Sequence, residues 1–507
     1  MPTLLNKHSS ARRVFYPSFD GGLNLASSPE ILAKNELREA VNVELAPLTG
    51  KLKVRGGLVW MGELSDVSRV SDSSEIMFEE AAQVQGSSII LLKFHEHSST
   101  LDVRNLCVYD YQMLWRVKGA LSGNGDISAT IWDDVILIAS GGKLQKLIKF
   151  GGWYEIETIE NSPDTCRYVF VRSGRVGVVS DDDTLTFSYV GDCEQWDNDP
   201  DDESTGQFVE IGYKDGMNIN AVIPLSKDLI IFKSPHKDPE QGIIWRLAGD
   251  FPNWVVVEAA HNTGTFTQRS VKVVGNDVFY IAGIGLSRLS SVMEYGEIKT
   301  AWPDRKVSNA LTELITSSAE LWHVPVKQQL WLVPSYNDDK IWVFDYSRGI
   351  WTNFVFPEMP YYASGAGNKI HLFIDNNIYE LNEFYRHDEM RGGNEEITAK
   401  IKLGAILSSR QTLVKAAFAT YEISPHGTAY LRVEGFKLPL KYRGTPNYAY
   451  GADYCAYTAY DNVFPEKDDI MTSRAYCMVR DWVINSEVEI TGGGFSISTI
   501  GLETAEV

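Results

Sequence analysis

The side chains here that could do chemistry are mostly carboxylates. Glycoside hydrolysis needs two of them, one as general acid and one as base or nucleophile. Asp and Glu are plentiful, 67 in all, but nothing in their spacing selects a pair, and the Ser-x-Asp-x-Gly-x-x-Trp box of sialidases is absent. No GxSxG, HExxH or GxxxxGK[ST] pattern occurs. The nine His are scattered. His95 and His97 form the one close pair. On a strand, residues i and i+2 share a face, so two imidazoles could meet a metal there, but FHEHSST reads first as a solvated turn. The acidic run Asp197-Asn198-Asp199-Pro200-Asp201-Asp202-Glu203 alternates oxygen ligands as a calcium loop does, yet lacks the Gly at its sixth position and the Glu at its twelfth. That run and Asp181-Asp182-Asp183 read as exposed, self-repelling loops. The five Cys (107, 166, 193, 455 and 477) contain no CxxC pair and are too few for a disulfide framework. No catalytic residue, metal site or cofactor is therefore assigned.

One further segment has a binding composition. Tyr448, Tyr450, Tyr454 and Tyr457 lie close together among Gly, Asn and Pro, inside an irregular insertion at 441–469. Tyr on a polar loop offers large contact area at little entropic cost. The segment reads equally as a partner-binding loop or as one packed on its own domain. Few basic residues accompany it, which disfavours a stacking platform for single-stranded nucleic acid.

The elements that must position these residues are short strands. Runs of four to eight apolar or alternating residues recur along the chain, punctuated by Gly, Asp, Asn and Pro. Helical spacing is confined to Pro29–Asn42, where Ile31, Leu32, Leu37 and Val41 can share a face, and to Ser308–Ser318. Two strand blocks repeat one pattern. Val108-Tyr109-Asp110-Tyr111 precedes Trp115, and Val343-Phe344-Asp345-Tyr346 precedes Trp351. A second pair shares Gly-Asp-x-x-x-Trp, at Gly191 to Trp196 and Gly249 to Trp254. Degenerate repeats of antiparallel strands, ~40–50 residues each, are the mark of a β-propeller. Residues 61–385 have room for six or seven blades. The charged stretch 384–396 reads as a linker, and the strands of 386–507 as a smaller β-sandwich-type domain.

Composition agrees with an all-β fold. Gly stands at 41, aromatics reach 11%, and hydrophobic residues make up 44%, which excludes wholesale disorder. Apolar runs such as Ile89-Ile90-Leu91-Leu92 are four or five residues long, against the ~20 of a membrane helix. The N-terminal residues lack the apolar core of a secretory signal, so assembly in a reducing cytoplasm is expected. Lys and Arg number 47, leaving a net charge of −20. A surface that grips nucleic acid through its phosphates needs the opposite sign.

The most specific pattern lies in the first 60 residues. Phe19-Asp20-Gly21-Gly22-Leu23-Asn24 is followed by Ser28-Pro29, Asn35-Glu36, Ala40-Val41-Asn42-Val43, Thr49-Gly50-Lys51-Leu52 and Arg55-Gly56-Gly57. This series resembles the opening of the tail nozzle (tubular protein B) and of the tail hub or packaged-DNA stabilisation proteins of short-tailed bacteriophages. Thr263 to Trp302 and the closing strand Gly494 to Leu502 are similar to the family's later segments. The Tyr-rich insertion departs from its pattern.

The resemblance implies a structural virion protein of the tail, assembled in the host cytoplasm and not an enzyme. It implies a ring, usually a homohexamer, below the portal and head-to-tail adaptor. Such a ring extends the DNA channel, helps retain packaged DNA and docks tail fibres or spikes. DNA passes through it without specific binding, and no membrane insertion is implied. It places assembly contacts at Phe19, Gly21, Gly22, Leu23, Asn24, Asn42 and Arg55, on an N-terminal arm (1–60) with a short helix that lies beside the propeller. The alternative is a propeller that binds carbohydrate or hydrolyses glycosides.

Overall fold

The computed structural model describes residues 12–506 except 47–48, 64–74, 86, 98–101, 111–112, 200, 236–237, 292–297, 336–337, 367, 386, 424–426, 442–470 and 493. The chain is built almost wholly of strands and forms a β-propeller. Its antiparallel four-stranded units follow one another at 75–118, 128–158, 169–210, 218–261, 271–301 and 320–354. A last unit takes three strands from 362–382 and its fourth from Gly57–Glu63, which pairs antiparallel with Asn377–Asn382. The first strand of each unit touches the first strand of the next, and Tyr362–Ala366 returns to Glu75–Gln83. The units thus close into a ring, with the N-terminal part of the chain sealing it.

The two sequence repeats occupy equivalent places. Asp110 and Asp345 each cap the turn between the third and fourth strands of a unit. Asp110 accepts from the Met113 amide at 2.8 Å, and Asp345 from the Ser347 amide at 3.0 Å. Asp suits this place because its short side chain bonds the backbone two or three residues on. Gly191–Trp196 and Gly249–Trp254 span the same turn in two neighbouring units.

Most of the remaining strands belong to two further sheets. One joins Val43–Leu45, Leu52–Val54, Phe495–Glu506, Ile406–Ile423 and Met471–Ile484 in that order, with Arg12–Tyr16 also paired to Phe495–Glu506. The other joins Glu36–Val41, Thr398–Leu403, Ser486–Thr491, Thr428–Val433 and Phe436–Leu440. Leu37, Val43, Leu52, Ile401, Ala417 and Ile497 from both sheets share one core. That core runs on into the propeller through Ile350, Trp351 and Leu321. At Val41 the second sheet also pairs in parallel with Asn353, in the outer strand of the 320–354 unit.

Three expectations are corrected. The N-terminal segment is not an arm lying beside the propeller, because its strands complete both C-terminal sheets and close the propeller ring. The helix expected across Pro29–Asn42 is replaced by turns and the strand Glu36–Val41. A bulge between Leu37 and Glu39 shifts its register. The extra residue puts Leu37 and Ala40 on one buried face, three positions apart where a regular strand would have two. Ile31, assigned to the apolar face, is 73% exposed. The stretch expected to be a linker forms a hairpin, His387–Met390 with Gly393–Glu396. At the second expected helix, Ser308–Leu314 is helical.

Candidate functional site

The residues singled out by the N-terminal pattern converge where the propeller meets the C-terminal sheets. Phe19 and Leu23 are buried in the shared core beside Ile350 and Trp351. Gly22 has φ +62°, and a Cβ there would stand 2.7 Å from Cβ of Ile350. A Cβ on Gly21 would stand 2.7 Å from the Asn35 carbonyl oxygen. Only Gly allows the chain to pass so close in that conformation. Asn24 holds the following turn, its Oδ1 accepting from the amides of Ala26 at 3.1 Å and Ser27 at 3.2 Å.

Asn42 and Arg55 form the centre of this junction. Asn42 adopts φ +54°, donates Nδ2 to the Thr398 carbonyl at 2.8 Å, and accepts at Oδ1 from Arg55 Nε at 3.0 Å and the Val355 amide at 2.8 Å. Arg55 is 2% exposed. Its Nη1 and Nη2 reach the two carboxylate oxygens of Asp388 at 2.9 and 2.6 Å, and Nη2 also meets the Val355 carbonyl at 3.0 Å. The guanidinium lies 4.3 Å from the Phe356 ring centroid. Asp388 accepts the Leu58 amide as well, at 3.0 Å. A buried charge is tolerable when paired and fully bonded in this way. A second network lies nearby. Glu44 takes Lys327 at 2.7 Å and Lys53 at 3.2 Å, and both cations also reach Glu383.

Phe19, Leu23, Asn24, Asn42 and Arg55 are thus covered by this chain's own residues. They join two parts of one chain and present no surface to a second copy, which corrects their placement in an assembly interface. Tyr448, Tyr450, Tyr454 and Tyr457 lie outside the described residues. Asp388, the partner that completes Arg55, was missed because its charged surroundings read as a linker. The signal available was the Arg itself, since an Arg between apolar strands calls for a carboxylate.

A second cluster gathers at first strands of the units and at the turns that lead into them. Arg269, in the turn Gln268–Ser270, lies 2.8 Å from Glu320, 3.7 Å from Asp126 and 4.0 Å from Glu80. Glu80 and Glu320 belong to the units 75–118 and 320–354, and Asp126 and Arg269 to the connections leading into the units 128–158 and 271–301. Glu80 is 5% exposed and accepts the Ile127 amide at 3.1 Å. Desolvation by burial pushes its carboxyl up to about 8, against the pull of Arg269 and Lys93. Glu80 is therefore mostly protonated at neutral pH, and its neighbour Glu320 bonds the Trp322 indole at 2.9 Å. Such a cluster ties neighbouring units together through Arg269.

The acidic run is organised by its own side chains. Asp199 accepts the Asp201 amide, Asp202 the Ser204 amide, and Asp197 the Tyr189 hydroxyl. Among the described residues no three His, Cys, Asp or Glu side chains gather as metal ligands, and no helix is long and apolar enough to cross a membrane.

No family model and no curated protein matches this chain in sequence. Solved structures similar to it include the WD40 propeller domain of Doa1, at 11% identity, covering 64% of this chain and 95% of that one with a TM-score of 0.36. BamB from Moraxella catarrhalis, at 10% identity, covers 64% and 96% with a TM-score of 0.34. An exo-β-1,3-galactanase from Phanerochaete chrysosporium, at 10% identity, covers 89% and 99% with a TM-score of 0.28. These likenesses concern chain architecture alone.

Proposed function

We propose that the chain is a structural virion protein of a short-tailed phage tail, a nozzle or hub subunit, built as a seven-bladed propeller with a C-terminal β-sandwich. Six copies form a ring below the portal and adaptor. The ring lines the DNA exit channel and carries fibres or spikes. The observation that supports this reading most is the placement of segment 19–57. The residues that carry the family resemblance are those that join propeller and sandwich into one body. A wall element must transmit force between its parts, and a buried ion pair inside a continuous core does so without moving parts. Charge agrees in sign. At −20 per chain, six copies carry about −120, and an acidic wall repels phosphates where a basic one would hold them.

Native mass of the purified protein, alone and mixed with a portal–adaptor complex, tests the reading. A ring, or a monomer that becomes a ring on that complex, is expected. A chain that stays monomeric and unbound in both conditions overturns it, as does a ring whose channel is lined mainly by Lys and Arg.

The neutral Glu80 beside Asp126 and Glu320 favours one second reading, a glycoside-processing propeller. Turnover of a glycoside that Glu80→Gln abolishes would establish it.

A further inference from the structure

A cavity of about 320 Å3 opens between the units 169–210 and 218–261. This is at the small end of the range for ligand sites, ~300–1,000 Å3. The turn joining Val169–Arg172 to Arg175–Val179 supplies Arg172 and Arg175. Phe187, Phe251 and Trp254 supply aromatic surface, and Glu203, Ser204 and Asp250 stand at the mouth.

The two arginines are unusual. They are 8% and 4% exposed, yet among the described residues no carboxylate oxygen lies within the 4.0 Å of an ion pair from either guanidinium. Each bonds to backbone carbonyls instead. Arg172 donates Nε to Lys227 at 3.2 Å and Nη2 to Gly249. Arg175 donates Nη1 to Ser188 at 2.6 Å and Thr205 at 2.5 Å, and Nη2 to Glu203. Arg172 Nη1 is buried and has no acceptor. Burying a cation without a counter-charge is unfavourable, and burial holds both guanidinium groups below their ordinary pKa.

Asp250 and Asp228 act on Arg172, and Asp202 on Arg175, only from beyond ion-pair distance, and they leave both guanidinium groups below their ordinary pKa. Asp250 and Glu203 are exposed, and Asp250 accepts from the Ser173 hydroxyl. The aromatic side differs from the equivalent turn one unit earlier. There Trp196 is 6% exposed and donates to the Cys193 carbonyl at 2.8 Å. Trp254 instead borders the cavity, its ring 4.6 Å from Phe187 and 5.4 Å from Phe251.

We infer that this cavity binds a carboxylate-bearing sugar, one residue of an acidic glycan. The carboxylate lies against the Arg172 and Arg175 side chains that line the cavity and supplies the close counter-charge they lack. The apolar face of the ring lies on Trp254, and ring hydroxyls donate to Asp250 and Glu203. A plain anion would leave the aromatic wall unused. A neutral sugar would leave the arginines uncompensated. The inference stands apart from the assembly reading, since it needs neither a ring of subunits nor a tail.

Glucuronic acid is a suitable probe, titrated onto the full chain with glucose and inorganic phosphate as controls. Charge-assisted hydrogen bonds predict glucuronate at least about ten-fold tighter than glucose. Arg172→Met is expected to remove that difference, and Trp254→Ala to weaken glucuronate several-fold while leaving phosphate unaffected. Val190→Trp, which adds bulk at an exposed position of the cavity wall, is expected to block binding in a folded protein. Glucuronate bound no better than glucose overturns the inference. So does phosphate bound as tightly as glucuronate with no effect of Trp254→Ala, which marks a simple anion site. Unchanged glucuronate binding in Val190→Trp also overturns it.

Discussion

Arg55 and Arg172 are both buried guanidinium groups in a β-protein, and their surroundings are opposite. Arg55 has a two-oxygen contact with Asp388, a carbonyl and an aromatic face. Arg172 has two carbonyls and a donor left over. The first arrangement completes itself within the chain, so its role is to hold the fold. The second is incomplete without something from outside. The same side chain serves architecture or recognition according to whether the chain supplies the counter-charge.

The sharpest way to break this contrast is to remove the segment that carries Arg55. Deleting residues 1–63 takes away strands of both C-terminal sheets and the strand that closes the propeller. The truncated chain is expected to be insoluble or to lose its cooperative unfolding transition, as circular dichroism on heating would show. A soluble, cooperatively folded product would mean that the segment is a dispensable arm after all.

Arg55→Ala comes next. It leaves the Asp388 carboxylate buried and unpaired, for an expected loss of about 3–5 kcal/mol in urea unfolding. Replacing both partners, as Arg55→Met with Asp388→Leu, should recover much of that loss, because no charge is then stranded. Gly22→Ala, which forces a Cβ against Ile350 at positive φ, is expected to remove about 1–3 kcal/mol by the same measurement.

Glu80 provides a pH test. Its folded-state value of about 8 stands above the ordinary 4.5. Between those values the folded chain holds a proton that the unfolded chain has released. Stability therefore falls as pH rises from about 5 to about 8, by up to a few kcal/mol. Glu80→Gln should flatten that slope in urea titrations at several pH values. A slope unchanged by the substitution would remove Glu80 as its source.

Arg172→Met should have the smallest effect. It loses two hydrogen bonds but also an uncompensated buried charge, so stability is expected to change by less than about 1 kcal/mol in either direction. A loss as large as that of Arg55→Ala would erase the distinction between the two sites.

Much of the propeller was legible because hairpin chemistry is local. An Asp that caps a third-to-fourth strand turn, and the Trp after it, leave the same trace in each unit that uses them. The strand Glu36–Val41 was misread because Ile31 and Leu32, in the stretch of turns before it, fall at helical spacing from Leu37 and Val41, and periodicity was the only local signal there. Asp388 and the group of Glu80, Asp126, Arg269 and Glu320 were invisible for a different reason. Their members lie far apart in sequence, and no spacing rule connects them. Arg172 and Arg175 carried no signal either, since what distinguishes them is a missing carboxylate, and absence has meaning only once neighbours are known.

The sequence by itself determined the all-β class, the repeated hairpins and the acidic balance, because these depend on residue type and short-range order. It also marked the segment 19–57 as special, since paired glycines and an Arg among apolar residues are unusual wherever they fall. Only the tertiary structure decided what that segment does. Ring closure by Gly57–Glu63, completion of the C-terminal sheets and the pairing of Arg55 with Asp388 join residues more than 300 positions apart. Contacts at that separation are set by packing of the whole chain, which no local pattern encodes.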